Sequence, residues 1–271
     1  KIMKSTKKMI SFHSEDEDEL IKRERFRKKN KPQTHYIWRD VNTALKSTRK
    51  LIANANKTKK KIHILHITSA EEVNILKKNK KYVSFEVTPQ HLVFSAPSAY
   101  KKLGTYAQMN PPIRDSRHKK VLRQALKNND IDLIGSDHAP HLKSEKKLSY
   151  PKSPSGMPGV QTLLPVLLNE VHKKTISLNY LVRLTSFNVI KIFKIKNKGL
   201  IKEGFDADLS IVDLNKKMKF SNSMVKSKCG WSPFHGTQFN GWPVGTIING
   251  NKVFWNGKLI GKPEGKPIKF N

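Results

Sequence analysis

A repeating order of short apolar runs, polar residues and helical stretches is the strongest constraint on the fold of this chain. Four runs of strand character occur in its first half, namely Met9–His13, Ile62–Ile67, Tyr82–Val87 and Ile131–Gly135. Helical stretches lie between them, at 44–55, from Ala70 onward behind the capping residue Ser69, and at 118–127. Apolar strands that alternate with helices indicate a parallel sheet covered by helices, which is an α/β fold.

Three polar residues fall where these strands end. His13 ends the first run, His66 lies near the end of the second, and Asp137 follows the fourth. Parallel β/α folds gather their functional groups at the carboxyl ends of the strands. A complete (β/α)8 barrel needs eight strands and roughly 250 residues. Because only four such strands precede residue 140, the sequence predicts the C-terminal half of a barrel, strands 5–8.

The remaining segments are assigned by their local pattern. The charged segment Ser14–Lys31 is predicted to be a loop. Helical stretches are predicted at 160–171, 178–184 and 187–193. Beyond Gly199 a strand at 207–213 and a hairpin at 245–255, with an Asn-Gly turn, indicate a small β appendage. The predicted domains are therefore a partial barrel at 1–198 and a small β domain at 199–271, completed by an N-terminal segment that this chain does not contain.

Composition restricts the class of protein. The formal charge is +32, but only nine of the 53 basic residues are arginine and the lysines are spread along the whole chain. Biased codon usage explains that pattern better than a phosphate-binding surface, which favours arginine. We therefore expect no nucleic-acid partner, and a salt-dependent gel shift on generic DNA tests this. No apolar run approaches the roughly 18 residues of a membrane span, and the single cysteine, Cys229, fits a reducing cytoplasm.

The segment Ser136-Asp137-His138-Ala139-Pro140-His141 is the centre of the predicted chemistry. An Asp-capped turn would explain Asp137 and Pro140, but it leaves both histidines without a role. Imidazole and carboxylate groups at neighbouring strand ends suit zinc or a similar divalent ion. Such an ion lowers the pKa of a bound water toward 7, and a nearby carboxylate can move its proton.

Several motifs in register resemble those of dihydroorotases, in the amidohydrolase superfamily. The resemblance rests on Phe12–Asp16, His63–Thr68, Glu86–Pro89 followed by His91-Leu92, Met109–Arg114, Ser136–His141 and Gly204–Leu209. It implies that His13 and His66 bind one zinc ion, and that Asp137 binds a second one and serves as general acid/base. It also implies that Asn110, His141 and the backbone around Ser155 and Gly156 contact a small-molecule substrate.

The implied reaction interconverts dihydroorotate and N-carbamoyl-L-aspartate in pyrimidine synthesis. The resemblance also implies a His-x-His pair, a bridging carboxylate or carbamylated lysine, and a substrate-binding arginine, none of which this sequence contains. His35 and His118 are single histidines in polar stretches and do not replace the pair. We therefore expect a fragment that is unstable or associates, and is inactive, when expressed alone.

Two alternatives stay open. Allantoinases and hydantoinases are similar and share the machinery, although His141, four residues after Asp137, favours a substrate that bears a carboxylate. A non-catalytic dihydroorotase-like partner protein is the other alternative, since a fold does not by itself establish an activity. A homo-oligomer of the complete protein is a further candidate assembly.

Overall fold

Four short parallel strands form the first sheet of the protein. The computed structural model describes residues 2–262 and 264–270. In it the strands are β1 (Ile10–Phe12), β2 (Ile62–Ile64), β3 (Val83–Val87) and β4 (Leu133–Ile134). They are hydrogen-bonded in the order β1-β2-β3-β4, and every pair is parallel. The predicted α/β class is confirmed.

Strands β2 and β4 are shorter than the apolar runs that predict them. His66 adopts a φ of +37° and Asp137 one of +41°, both in the left-handed region. That conformation is incompatible with continued strand geometry, so the chain turns out of the sheet at these residues. The turn places each side chain at the carboxyl end of the sheet.

The described residues contain twelve α-helices: α1 (Ile2–Ser5), α2 (Glu17–Arg23), α3 (His35–Trp38), α4 (Val41–Thr58), α5 (Ala70–Lys77), α6 (Pro89–Val93), α7 (Ser98–Leu103), α8 (Ser116–Lys127), α9 (Lys143–Lys146), α10 (Val160–His172), α11 (Leu178–Val182) and α12 (Asn188–Phe193). Short 3-10 helices occur at 24–26, 32–34, 104–107 and 222–224, and a π-helical turn occurs at 183–187. The helices predicted between the strands and after β4 are confirmed.

The capping of α5 follows the prediction. The Ser69 hydroxyl accepts from the Glu72 backbone amide, and the Glu72 carboxylate accepts from the Ser69 amide, so the two residues form a reciprocal capping box. The carboxyl group of Glu72 is buried and also accepts from the Thr48 hydroxyl of α4 at 2.9 Å. This contact ties two of the helices that cover the sheet.

The prediction of a loop at 14–31 is wrong for its first half, which forms α2. Asp16 caps this helix by accepting from the amide of Glu19, and three acidic residues occupy its first turn. Negative side chains at a helix N-terminus stabilise it through the helix dipole. The density of charge in this segment therefore reflects a solvent-exposed helix.

The second sheet is antiparallel and has the order β5-β6-β7-β8. Its strands are β5 (Leu209–Lys219), β6 (Gln238–Ile248), β7 (Asn251–Trp255) and β8 (Lys258–Leu259). Asn249 and Gly250 connect β6 to β7 with φ values of +49° and +84°, as a two-residue turn with positive φ requires. The predicted strand that begins near residue 207 and the hairpin predicted at 245–255 are confirmed.

Contacts divide the chain into two compact units. The first consists of Lys1–Leu163 and Ser221–His235, and the second of Leu164–Phe220 and Gly236–Asn271. This grouping differs from the boundary after residue 198 that the change of sequence pattern suggested. The functional division of the chain stays a prediction.

A secondary apolar core in the first unit supports the segment around Asn110. Its largest buried side chains are Tyr100, Met109, Met157 and Trp231, and it also contains the free Cys229. Side chains from residues 96–113, 157 and 229–231 thus pack together, although these segments are far apart in sequence and form no sheet with one another. Among the described residues, we find no helix with the length and hydropathy needed to cross a membrane.

Candidate functional site

Two of the predicted metal ligands meet at the carboxyl end of the parallel sheet. His13 Nδ1 lies 3.2 Å from His66 Nε2, and the two rings stand edge to face with centroids 4.9 Å apart. Nitrogens that each bind one tetrahedral zinc ion at about 2.0–2.1 Å lie about 3.3 Å from each other. The separation of this imidazole pair therefore fits a shared divalent ion.

Glu15 fixes the tautomer of His13. The Nε2–H of His13 donates to the Glu15 carboxylate at 2.9 Å, which leaves the lone pair of Nδ1 facing His66. Arg39 holds the same carboxylate, with Nε at 3.0 Å and Nη2 at 2.6 Å from Oε2. Metal-binding histidines commonly donate their other ring nitrogen to a carboxylate in this way.

The ionisation of Glu15 matches this role. Burial alone would raise its pKa, but the hydrogen bond from His13 and the charge of Arg39 outweigh burial and lower the pKa from 4.5 to about 2. The group is thus a carboxylate near neutral pH. Sequence reasoning gave Glu15 and Arg39 no role, although a glutamate two residues after a candidate ligand is a usable signal.

His66 is buried and stays neutral. Burial, followed by the charges of His13 and His91, lowers its pKa from 6.5 to about 3. Its Nδ1 is buried and has no hydrogen-bond partner among the described residues. A neutral imidazole is the form that binds a metal ion.

Asp137 follows β4 and lies near enough to His13 for the two side chains to interact electrostatically. Burial and the negative charge of Glu86 raise its pKa from 3.8 to about 6, against a smaller lowering by His13. Within residues 2–262 and 264–270, no group of three or more His, Cys, Asp or Glu side chains is arranged to hold a metal ion. The structure thus brings two predicted ligands together and does not add the third to their group.

His63 has a different position from His66. It is buried, donates from Nε2 to Glu86 at 3.1 Å and approaches the Ser84 hydroxyl through Nδ1 at 2.9 Å. Both ring nitrogens of His63 thus have side-chain partners on β3. The choice of His66 as the candidate ligand stays a prediction.

The two histidines of the Ser136–His141 segment serve different purposes. His138 Nδ1 accepts from the Gly159 amide at 3.1 Å, so this residue joins two loops. His141 donates from Nε2 to the Ser155 carbonyl at 3.0 Å. The second contact brings together two of the residues that were predicted to bind substrate.

Asn110 and Gly156 lie in segments that are held by buried basic side chains. Asn110 Oδ1 is 3.0 Å from His35 Nε2. The fully buried Lys146 donates to the carbonyls of Gln108, Pro154 and Gly156 at 3.3, 2.8 and 3.1 Å. Burial lowers the pKa of Lys146 to about 7. Sequence reasoning set His35 aside and missed Lys146, which is one lysine among many.

The chain is thus an α/β protein with paired imidazoles and a carboxylate at the carboxyl ends of its parallel strands, and these are groups that bind divalent metal ions. The chain belongs to the amidohydrolase family, whose sequence profile matches residues 1–253.

Curated relatives and solved structures agree with this family. The chain is 36% identical over 255 residues to a dihydroorotase of Methanosphaera stadtmanae, covering 92% of this chain and 58% of that protein. It is 35% identical over 261 residues to a dihydroorotase of Pyrococcus horikoshii, covering 96% and 57%. Its structure resembles an L-hydantoinase (dihydropyrimidinase) of Arthrobacter aurescens, with a TM-score of 0.88, 26% identity, and coverage of 94% and 58%. The chain thus spans a little under three fifths of the length of these relatives.

Proposed function

We propose that this chain is part of a metal-dependent cyclic amide hydrolase, in which it supplies strands 5–8 of a (β/α)8 barrel and a small β domain. The observation that carries the proposal is the imidazole pair of His13 and His66, with Glu15 selecting the tautomer. The order of the parallel strands supports the barrel assignment, since each strand pairs with the next one in sequence. The His-x-His pair and the bridging ligand would come from the other half of the barrel.

The residues that would hold zinc are His13 and His66 for one ion and Asp137 for the other. When bound, zinc supplies a hydroxide near neutral pH and polarises a carbonyl. Asp137, a carboxylate that follows β4, would accept a proton and pass it to a leaving nitrogen. Arg39 and Glu15 keep the His13 ring in its binding orientation.

The proposed substrate is dihydroorotate, which the enzyme interconverts with N-carbamoyl-L-aspartate. The dihydroorotases named above support this choice, because they match more than nine tenths of the chain. Asn110 and His141 are polar groups that can bind a ring carbonyl and a carboxylate, and the backbone of Ser155 and Gly156 completes the pocket. We also propose the cytoplasm as the compartment, since the one cysteine is buried as a free thiol.

A hydantoinase-type activity is the second candidate. The observation that favours it is the structural likeness to the L-hydantoinase, at a TM-score of 0.88. The two activities differ in the substrate's carboxylate, so they make different demands on His141. A carboxylate-bearing ring needs a donor there, so the Nε2–H of His141 would exchange the Ser155 carbonyl for the substrate. A hydantoin with a neutral side chain makes no such demand.

The test is hydrolysis of dihydroorotate, hydantoin and allantoin by the complete zinc-loaded protein that carries this chain. We expect dihydroorotate to be the preferred substrate, and His13→Ala or His66→Ala to abolish turnover and weaken zinc binding. His172→Ala, at an exposed histidine of α10, is the matched control and should behave as the parent protein. Preference for hydantoin would favour the second candidate, and no turnover of any ring would leave a non-catalytic partner protein. The 271-residue chain alone should be inactive.

A further inference from the structure

His35 is a buried residue that contacts a candidate substrate-binding side chain. It begins α3 and is 2% exposed, and its ring lies edge-on to Trp38 and Tyr150 with centroids 5.8 and 5.9 Å away. Its Nε2 lies 3.2 Å from the Met109 carbonyl oxygen and 3.0 Å from Asn110 Oδ1. The packing of the ring therefore aims one nitrogen at the loop that carries Asn110.

The hydrogen-bonding partners of Nε2 determine its protonation. A backbone carbonyl can only accept a hydrogen bond, so the contact with Met109 requires that Nε2 carries a proton. The other nitrogen, Nδ1, is buried without a partner among the described residues. His35 is thus a neutral Nε2–H tautomer, and burial, followed by the charge of Arg39, keeps it neutral by lowering its pKa to about 4.

The tautomer of His35 in turn determines the orientation of Asn110. An Nε2–H donor must face an acceptor, so the amide of Asn110 turns its oxygen toward His35 and its NH2 group away. The opposite orientation would place two donors against each other inside the protein. The free face of Asn110 therefore presents two N–H donors.

Hydrogen bonds from buried side chains hold the backbone on both sides of Asn110. Lys146 donates to the carbonyl groups of Gln108, Pro154 and Gly156. His91 donates from Nε2 to the Pro111 carbonyl at 3.1 Å. With the backbone on both sides of Asn110 held by buried donors, the hydrogen bond from His35 sets the orientation of the Asn110 amide.

We propose that His35 is a positioning residue, which locks Asn110 as a hydrogen-bond donor and thereby selects substrates that offer an oxygen acceptor, a ring carbonyl or a carboxylate, at that point. This inference rests on the proposed function, in which Asn110 contacts the substrate. In this proposal His35 acts through Asn110 and does not touch the substrate itself; the Ser155 hydroxyl, another candidate pocket group, lies 3.5 Å from the same Nε2.

The first test reads the geometry without any activity. Nitrogen-15 NMR of the His35 ring in the complete zinc-loaded protein should show the Nε2–H tautomer from pH 6 to 8. An Nδ1–H tautomer, or a cationic ring in this range, overturns the inference. If the tautomer is as expected but no cyclic amide is turned over or bound, then the proposed function has failed, and the substrate-selecting role of His35 is overturned with it.

The second test is a double-mutant cycle on the hydrolysis of dihydroorotate. His35→Leu should raise KM about tenfold with kcat within about threefold, since it removes an orienting hydrogen bond and not a reacting group. His35→Gln keeps an N–H donor at the same place and should restore KM to within about threefold. Asn110→Asp accepts from His35 but loses its donors, so it should raise KM as His35→Leu does.

Combining His35→Leu with Asn110→Asp distinguishes positioning from a merely structural role. If His35 acts through Asn110, the double variant should have nearly the same KM as Asn110→Asp alone. Independent, multiplicative effects of the two changes would overturn the inference. So would a His35→Gln variant that is as impaired as His35→Leu while its thermal unfolding midpoint is that of the parent protein.

Discussion

Replacing Glu15 by Gln is the sharpest probe of the candidate site, because it keeps the shape of the side chain and removes its charge. Glu15 is 1% exposed and Arg39 10% exposed, with 2.6 Å between Nη2 and Oε2. In the variant, a single amide oxygen must accept the hydrogen bonds of both Arg39 and His13. The new NH2 group is itself a donor and lies against the N–H groups of these residues. The change therefore leaves a buried guanidinium without its counter-charge.

The expected loss of stability follows from two independent estimates. Removing one partner of a buried ion pair costs about 3–5 kcal/mol. The lowering of the Glu15 pKa from 4.5 to about 2 corresponds to about 3 kcal/mol, at about 1.4 kcal/mol per pH unit. Because the amide oxygen still accepts one hydrogen bond, we expect Glu15→Gln to lower the free energy of unfolding by about 2–3 kcal/mol at pH 7.

The loss should depend on pH in a defined direction. A carboxyl group whose pKa is lowered by folding stabilises the protein above its unfolded pKa and loses that effect as it is protonated. The difference between parent protein and variant should thus be full above pH 4.5 and shrink as the pH falls toward 2. Urea unfolding of the complete protein at pH 7, 4 and 3 measures this difference.

Zinc binding supplies the second readout of the same variant. Loss of an outer carboxylate typically weakens metal affinity 10–100-fold, which a competition titration with a chromogenic chelator resolves. Glu19→Gln is the matched control, since Glu19 pairs with Lys46 at the surface of α2, and it should change neither unfolding nor zinc affinity. Unchanged stability at pH 7 together with unchanged zinc affinity in Glu15→Gln would refute the role assigned to the carboxylate.

Three further changes test other parts of the structure. Lys146→Met should lower the free energy of unfolding by about 2–4 kcal/mol, because three buried carbonyls lose their donor, whereas Lys147→Met at the exposed neighbour should be neutral in urea unfolding. Gly159→Ala would place a methyl group 2.0 Å from the Ser136 carbonyl oxygen and should destabilise the protein by about 1–3 kcal/mol; Gly265→Ala, with no atom within 4 Å, is its control in thermal unfolding. In zinc-free protein, Asp137→Asn should raise stability by about 1–2 kcal/mol at pH 8, since a carboxyl group with a raised pKa destabilises the folded state once it is ionised. That gain should disappear as the pH falls from 6 toward 4, and an advantage that persists at pH 4 would contradict it.

The sheet and most helices could be predicted because local pattern and tertiary structure agree. The runs around β1–β4 are apolar enough to be buried, and Ser69 and the Asn249-Gly250 turn have the side chains that their backbone conformations require. Helix α2 was missed because it buries a single apolar side chain, Leu20, which is too few to distinguish a charged segment from a loop. Its signal was the cap, Asp16, followed by acids in the first turn.

Within the candidate site, the sequence predicts the candidate metal ligands but not the side chains that hold the surrounding loops. His13, His66 and Asp137 follow strands, and the order of strands brings their ends to one edge. His35 contacts Asn110, 75 residues further along the chain. Lys146 contacts Gln108, 38 residues before it. No periodicity records such contacts, because they depend on how irregular loops pack on the core around Tyr100 and Trp231.

The burial of Lys146 also makes it a chemical reporter. Lysine supplies 44 of the residues in this chain, yet within the described residues only Lys146 has a fully buried side chain. An amine-reactive reagent will therefore label the surface lysines at once and reach Lys146 only when the loops at 108–110 and 153–157 open. The rate at which this single peptide acquires label in a mass spectrum thus measures the local opening of the candidate substrate pocket, separately from global unfolding.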